Sequence, residues 1–221
     1  MTDAHYHRGG YATFLSVGDR EFSFRGVHPW EAADASARRP YQDGEFVAEL
    51  REALEADAHA GVGEIGLDRL KVKTIPSEQR AVFAAQLEIA AELRRPVVLH
   101  GAKCWGEVVA ACRPYAGRIP AFLFHGFSRS GGLLPEIVAL NGFVGVGAAL
   151  LNDHAVNYRA LVKEIPLARV LVETDADYGR PGARPSPGEI ACKLAELRGM
   201  EPAELEAAVE ANAARFVEAL A

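Results

Sequence analysis

Short apolar runs alternate along the chain with segments in which apolar residues recur at helical spacing. The runs have the length and the β-branched and aromatic content of buried strands. The predicted strands cover residues 12–17, 22–27, 62–67, 97–100, 121–125, 143–146 and 170–173. Helical spacing of apolar residues is found in segments 46–54, 82–93, 194–197 and 205–217. The pattern therefore predicts strands that alternate with helices.

Alternation of this kind is typical of parallel strands joined by helical crossovers. About seven such units without a glycine-rich dinucleotide loop favour a TIM-type barrel over a doubly wound sheet. The chain has 221 residues, of which 49% are hydrophobic, and it contains no linker or sequence repeat. We therefore predict an α/β fold of the TIM-barrel type in one domain, residues 1–221.

Five of the seven histidines form a spaced set with two carboxylates. The set is His5, His7, His28, Glu64, His100, His125 and Asp175. His5 and His7 are two residues apart, so their side chains share one face of an extended strand. The last four members lie at the C-terminal ends of predicted strands, which is the rim where barrel enzymes carry their active sites.

Imidazole and carboxylate donors without thiolates suit Zn, Mn, Fe or Mg. Because the set exceeds the needs of one tetrahedral ion, we expect one or two divalent ions per chain. A bound ion would lower the pKa of water and polarise a substrate oxygen. The set therefore predicts a metal-dependent hydrolase.

Charge and cysteine content narrow the setting of this chemistry. A net charge of -6 argues against a basic duplex-binding surface, so metal ions and a few basic side chains must attract an anionic substrate. Cys104, Cys112 and Cys192 lack CxxC spacing, which indicates reduced thiols and a cytoplasmic location. Neither a signal peptide nor an apolar run of about 18 residues is present, so we expect no membrane contact.

Seven short motifs occur in a fixed order over nearly the whole chain. They are Asp3-Ala-His5-Tyr-His7, Gly26-Val-His28-Pro-Trp30, Gly63-Glu64-Ile-Gly-Leu-Asp68, Gln79 to Phe83 to Gln86-Leu87, Pro96-Val-Val-Leu-His100, His125-Gly-Phe-Ser128 and Glu173-Thr-Asp175-Ala. This ordered set resembles the TatD-type metal-dependent deoxyribonucleases of the amidohydrolase superfamily. The late Asn212-Ala-Ala-Arg215-Phe216 is similar to that family's C-terminal signature.

The resemblance implies a role for each residue of the set. His5, His7, Glu64 and Asp175 would hold a first metal ion, and Glu64, His100 and His125 a second, with Glu64 bridging. Asp175 would also be the base that orients and deprotonates the attacking water. His28 would lie beside the substrate phosphate. The implied reaction is hydrolysis of a phosphodiester at the 3′ end of single-stranded DNA or a short oligonucleotide.

The N-terminal part departs from the family pattern. Only 20 residues separate His7 from His28, which leaves no room for the expected crossover helices. Segments 12–17 and 22–27 flank Gly18-Asp19, a pair typical of an antiparallel hairpin. We therefore predict a barrel distorted or incomplete at its N-terminal edge, with a hairpin in place of an early βα unit. An open strand edge there would allow dimerisation, so we expect a monomer or a homodimer.

Further departures concern the substrate. Gly9 and Ala102 replace an aspartate and an arginine of the family, and Asp177 replaces a proline. Lys103 could replace the missing arginine as a phosphate contact, although it cannot form a bidentate fork. Arg129, with Arg180 and Arg184, could offset the added charge of Asp177.

Several residues have two interpretations. Trp30 and Trp105 could stack on a base, but packing is the simpler reading. Glu173 could orient a histidine or be a buried structural carboxylate, and for Asp68 we favour hydrogen bonds within the strand-end loop. His59 and His154 have no motif and are read as surface residues. For the whole chain, the alternatives are a hydrolase of an ester, an amide or a D-aminoacyl-tRNA, and a degenerate barrel without activity.

Overall fold

A computed structural model describes residues 1–9, 13–32, 45–70, 72–177 and 184–221. The strands are β1 Asp3–His7, β2 Thr13–Val17, β3 Arg20–Arg25, β4 Gly61–Asp68, β5 Val97–Ala102, β6 Phe122–Phe124, β7 Gly142–Val146, β8 Val170–Val172 and β9 Ala176–Asp177. The α-helices are α1 Pro29–Ala32, α2 Glu45–Ala56, α3 Ser77–Glu92, α4 Trp105–Cys112, α5 Leu134–Ala139, α6 Val156–Glu164, α7 Pro187–Arg198 and α8 Pro202–Phe216. The seven predicted strands are all found, although Ala12 lies outside the described residues.

Two regions of the sheet differ in strand direction. Strands β3 to β8 are parallel neighbours in chain order, and we call β4 to β8 the parallel arc. Strands β1 to β3 pair antiparallel, and we call them the N-terminal meander. The predicted hairpin is confirmed, because Val17 faces Arg20 across a turn at Gly18 and Asp19.

The sheet curls back on itself. β9 follows β8 after three residues and pairs parallel with β1, while the Asp175 N–H donates to the His5 carbonyl at 3.0 Å. The distorted TIM-type barrel is therefore confirmed. Because β1 is paired on both sides, by β2 and by β9, the open-edge argument for a dimer loses its basis at this strand.

Polar contacts hold β1 in place where the sequence offers few apolar residues. The buried Asp3 carboxylate accepts the Thr174 N–H at 2.9 Å and the Thr174 hydroxyl at 2.7 Å. The Asp3 N–H donates to the Ser16 hydroxyl at 3.2 Å. Burial raises the pKa of Asp3 to about 6, although both Thr174 bonds act in the other direction. Asp3 thus joins β1 to the chain segment that follows β8.

Aromatic rings fill the core between strands that are not neighbours. Phe216, at the end of α8, lies 5.8 Å from the Phe24 ring on β3 and 5.9 Å from the Phe143 ring on β7. Asn212, one turn earlier on α8, donates to the carbonyls of Leu167 and Val170 at 2.8 and 2.7 Å. These bonds satisfy buried backbone acceptors at the start of β8. The C-terminal motif therefore has a packing role.

Candidate metal centre

The structure brings the seven predicted residues together at one end of the sheet. The meander supplies His5 and His7 from β1 and His28 from the residues after β3, and the arc supplies the rest. Glu64 lies on β4, His100 on β5, His125 directly after β6 and Asp175 between β8 and β9. Buried carboxylate and imidazole groups meet here because parallel strands end at the same rim.

Distances on the meander side fit ligands of one shared ion better than hydrogen bonds. His5 Nε2 lies 3.5 Å from Glu64 Oε2 and 3.6 Å from Asp175 Oδ1. His7 Nε2 lies 3.9 and 3.5 Å from the same two oxygens. Two ligands of a tetrahedral ion are about 3.4 Å apart, whereas an N–H···O bond is usually about 2.9 Å long. The donor set therefore fits a divalent cation.

His5 adds an independent sign of the same fit. It is fully buried, and within the described residues neither of its ring nitrogens has a hydrogen-bond partner. An unsatisfied buried polar group costs about 1 to 3 kcal/mol unless something binds it. Burial, helped by the nearby His125, holds the pKa of His5 well below its usual range. The imidazole is thus neutral, which is the form that binds metals.

On the arc side, carboxylates of the protein orient the histidines. His100 Nδ1 lies 2.6 Å from Glu64 Oε1, and His100 Nε2 lies 2.9 Å from Asp68 Oδ2. Burial would lower the pKa of His100, but these carboxylates raise it to about 9. Asp68 also accepts the Leu70 N–H at 2.7 Å, so it serves both the strand-end loop and the histidine.

Glu173 holds His125 in a similar way. Its Oε1 lies 3.0 Å from His125 Nδ1 and accepts the Gly126 N–H at 2.7 Å. Burial would lower the pKa of His125, but Glu173 and Glu64 raise it to about 10. A Cβ on Gly145 of β7 would lie 1.8 Å from Glu173 Oε2, so glycine makes room for the carboxylate. Of the two interpretations of Glu173, the geometry favours the histidine orienter.

His28 lies closer to the cluster than its predicted role requires. Its Nε2 is 3.8 Å from Glu64 Oε1 and 3.4 Å from His100 Nδ1, and these three residues could hold a cation together. Burial lowers the pKa of His28 to about 4, so the ring is neutral. His125, His5 and Glu64 form another set of side chains that could hold a cation together. The contact of His28 with a substrate phosphate stays a prediction.

Three candidate residues have left-handed backbone conformations, which are uncommon outside glycine. Their φ angles are 52° for Asp175, 57° for Lys103 and 61° for Arg129. Such conformations cost free energy and concentrate at functional sites. Asp175 carries a side chain that is 55% exposed, so water and substrate can reach it.

Two cavities open beside the cluster. The Lys103 cavity, of about 850 Å³, is lined by residues that include Arg69, Lys103 and Trp105. The α6 cavity, of about 1110 Å³, is lined by the α6 residues Val156, Asn157, Ala160 and Glu164. Both cavities share His125, Gly126, Ser128, Arg129 and Asp175. The candidate ligands His125 and Asp175 thus lie where the cavities meet.

Two departures from the family pattern contact each other. Gly9 has a φ of 92° and donates its N–H to Asp177 Oδ1 at 2.9 Å. The Arg184 guanidinium donates to the Asp177 carbonyl, and Arg180 lies outside the described residues. Asp177 therefore takes part in holding the segment after β1.

The two tryptophans differ in burial, and the exposed His154 lies beside a cavity. Trp105 is buried against Phe124 and Phe127, which confirms packing. Trp30 is 39% exposed and donates its indole N–H to Asp68 at 2.8 Å. His154 is exposed, as predicted, but it also lines the α6 cavity. His154 and Arg69 were not predicted as cavity residues. Neither lies within one of the sequence motifs, so no sequence signal indicated its place in a cavity.

Among the helices of the described residues, none is both long and apolar enough to cross a bilayer.

Known proteins give an independent comparison. Residues 11–218 match the model of a family described as TatD related DNase. The 3'-5' ssDNA/RNA exonuclease TatD of Pectobacterium carotovorum subsp. carotovorum (strain PC1) is 33% identical over 207 residues, covering 88% of this chain and 76% of that protein. The protein of the same name from Cronobacter sakazakii (strain ATCC BAA-894) is 33% identical over 208 residues, with the same two coverages.

Solved structures agree with this result. A TatD homologue from Escherichia coli K12 aligns with a TM-score of 0.72 at 25% identity, covering 88% of this chain and 76% of that chain. An uncharacterized amidohydrolase from Saccharomyces cerevisiae has a TM-score of 0.71 at 18% identity, covering 88% and 80%, which shows the fold alone. The family match begins after His5 and His7, and the structure connects these two histidines to the cluster. The chain belongs to the TatD related DNase family.

Proposed function

We propose that this chain is a divalent-metal-dependent phosphodiesterase that removes nucleotides from the 3′ end of single-stranded DNA. The observation that carries the proposal is the convergence of five histidines, Glu64 and Asp175 at one rim of the barrel. Relatives at 33% identity are named as 3'-5' ssDNA/RNA exonucleases, which supports this substrate class. Short oligonucleotides would bind in the same way.

The donor set supports one or two ions. His5, His7, Glu64 and Asp175 would hold the first, and Glu64, His100 and His125 the second. Bound there, Zn, Mg, Mn or Fe would lower the pKa of a water molecule and polarise the phosphodiester. Glu64 suits the bridging position because its Oε2 faces His5 and His7 while its Oε1 faces His100 and His125.

Asp175 is the proposed base that accepts a proton from the attacking water. Partial burial would raise its pKa, but the adjacent His7 and the charge of His125 lower it to about 2. The carboxylate is therefore ionised at neutral pH, with lone pairs for orienting water. Its exposure to both cavities lets it reach the water and the scissile bond together.

Lys103 and Arg129 are the proposed phosphate contacts, with His28 beside them. Within the described residues, neither cation has a side-chain hydrogen bond or ion pair, and both line the Lys103 cavity. Two unpaired cations next to an acidic metal cluster suit a phosphodiester, because they attract an anion that the net charge of -6 would repel.

The cellular compartment, the number of domains and the oligomeric state stay predictions. Cys104, Cys112 and Cys192 are free thiols, which supports a reducing compartment such as the cytoplasm. A continuous buried core supports one domain over residues 1–221. The chain would act as a monomer or a homodimer.

The test is metal content of the purified protein together with shortening of a 5′-labelled single-stranded DNA in magnesium or manganese. Asp175→Asn should lower kcat/KM on this DNA and on bis-p-nitrophenyl phosphate roughly 10³-fold, since it removes the base and a ligand charge. Asp19→Asn in the hairpin turn is the matched control.

Each other outcome contradicts part of the proposal. Full activity of Asp175→Asn would remove Asp175 from the mechanism. Bound metal with hydrolysis only of carboxylic esters or amides would replace the nuclease by another hydrolase of this scaffold. Protein without metal or activity would indicate a degenerate barrel.

A further inference from the structure

The two cavities differ in charge on either side of the cluster. Beyond the shared residues, the Lys103 cavity carries Arg69 and Lys103 against Glu107. Glu107 is paired with Arg69 at 3.2 Å and also with Arg80, so its charge is compensated. Among the described residues that line the α6 cavity, the charged groups beyond the shared ones are Glu164 and Glu173, with the exposed His154 beside them. One cavity is thus suited to anions and the other is not.

The walls of the α6 cavity combine apolar and uncharged polar groups. Ala148, Ala155, Val156 and Leu161 give it apolar surface, and Asn157, Tyr158 and Thr174 add polar groups. Val156 is 68% exposed at this wall. Apolar walls with a few polar groups are typical of pockets that bind a neutral organic ligand. A nucleoside has this composition.

We infer that the α6 cavity binds the terminal 3′ nucleoside and that the Lys103 cavity binds the phosphates of the strand that remains. The inference rests on the proposed function. At a 3′ end, the terminal nucleoside carries no phosphate beyond the scissile one, whereas every nucleotide on the 5′ side adds a negative charge. The scissile phosphate then lies where the cavities meet, next to His125, Asp175 and Arg129.

The α6 helix sets the shape of the nucleoside pocket. Val156, Asn157, Ala160 and Glu164 share one helical face, because they are three to four residues apart along the helix. Ala160 is exposed at the middle of this face, so a larger side chain there would fill the cavity without entering the core. Glu164 would accept a hydrogen bond from a free 3′-hydroxyl and repel a 3′-phosphate.

The first experiment needs no variant. A 5′-labelled single-stranded DNA is compared with the same DNA carrying an abasic tetrahydrofuran residue, either at the 3′ terminus or one position before it. Loss of the base removes its contacts with the cavity walls and leaves the sugar-phosphate backbone unchanged. We expect the terminal abasic residue to lower kcat/KM for the first cleavage roughly tenfold, and the internal one to have a smaller effect.

A variant then assigns the preference to the cavity. In Ala160→Trp, the ratio of kcat/KM for normal and terminally abasic DNA should fall towards one. Ala84→Trp, on the exposed face of α3, is the matched control and should keep the tenfold ratio. Lys103→Ala should raise the KM for DNA and leave the ratio unchanged, because it acts on the other side of the bond.

The outcomes separate the two proposals. Absence of hydrolysis by the wild type of both DNA and bis-p-nitrophenyl phosphate would overturn the proposed function, and the inference with it. Cleavage of DNA without terminal preference, or with a larger effect of the internal abasic residue, would overturn the inference alone. A full ratio retained by folded Ala160→Trp would do the same.

Discussion

The N-terminal meander and the parallel arc both supply metal-ligand candidates, but they support them differently. On the arc, His100 is held by Asp68 and His125 by Glu173. On the meander, His5 is buried with both ring nitrogens unpartnered within the described residues. The arc would therefore fix its candidate ligands before a metal ion binds, whereas His5 would gain its bonds only from the ion. Pre-organisation of a site can thus be uneven around one barrel.

Glu64 connects the two regions, so its removal should give the largest effect. Its Oε2 lies 3.5 and 3.9 Å from His5 and His7, and its Oε1 lies 3.8 Å from His28 of the meander and 2.6 and 3.8 Å from His100 and His125 of the arc. We expect Glu64→Gln to lower kcat/KM roughly 10³-fold, equivalent to about 4 kcal/mol of stabilisation. The measurements are steady-state kinetics on bis-p-nitrophenyl phosphate and metal content.

Glu55→Gln on α2 is the control for this change. The control should keep both metal content and rate. Retention of half the wild-type activity by Glu64→Gln would show that the two regions bind metal independently.

Loss of an orienting carboxylate should give an intermediate effect on the arc. In Glu173→Gln the charge that holds the His125 ring is removed while the size of the side chain is kept. Changes of this kind typically lower metal affinity about 10- to 100-fold. Isothermal titration of metal-free protein with Mn²⁺ or Zn²⁺ would measure the change. An affinity within about twofold of the wild type would mean that Glu173 acts only in packing.

The last prediction concerns the free energy of unfolding of the metal-free protein, and here the two regions should differ in sign. His5→Leu removes two unsatisfied buried nitrogens and should raise the free energy of unfolding by about 1 kcal/mol. His125→Leu leaves Glu173 buried without its histidine and should lower that free energy by about 3 kcal/mol. Urea unfolding in the presence of a chelator gives both values. The same sign for both variants would contradict the contrast between meander and arc.

Local patterns predicted much of this fold. The strands of the arc follow from their apolar runs, and the hairpin follows from Gly18-Asp19 together with a spacing too short for a helix. The first strand is not among the seven predicted from apolar runs, because residues 1–4 are poor in apolar side chains. Its support comes from Asp3 bonding to Thr174, and a contact between residues so distant in sequence leaves no periodic signal.

The residues of the site and their place at one rim were predictable from the sequence, but their atomic contacts were not. The residue types and their positions at strand ends predicted that the seven candidates lie at one rim, because the strands of the arc all end there. The sequence could not show which ring nitrogen faces which oxygen, and it therefore separated His28 from Glu64 and His100 more than the structure does. The α6 cavity was missed because the residues that α6 contributes to its walls belong to no sequence motif.

The bond between Asp3 and Thr174 spans 171 residues of chain, which has a consequence during protein synthesis. A ribosome adds about 5 to 20 residues per second, so His5 and His7 emerge roughly 10 to 30 seconds before the segment that pairs with them. The first two candidate ligands are thus made first and positioned last. A nascent chain would carry no complete metal site, and the newly made nuclease could not act on nucleic acid near the ribosome before its barrel closes.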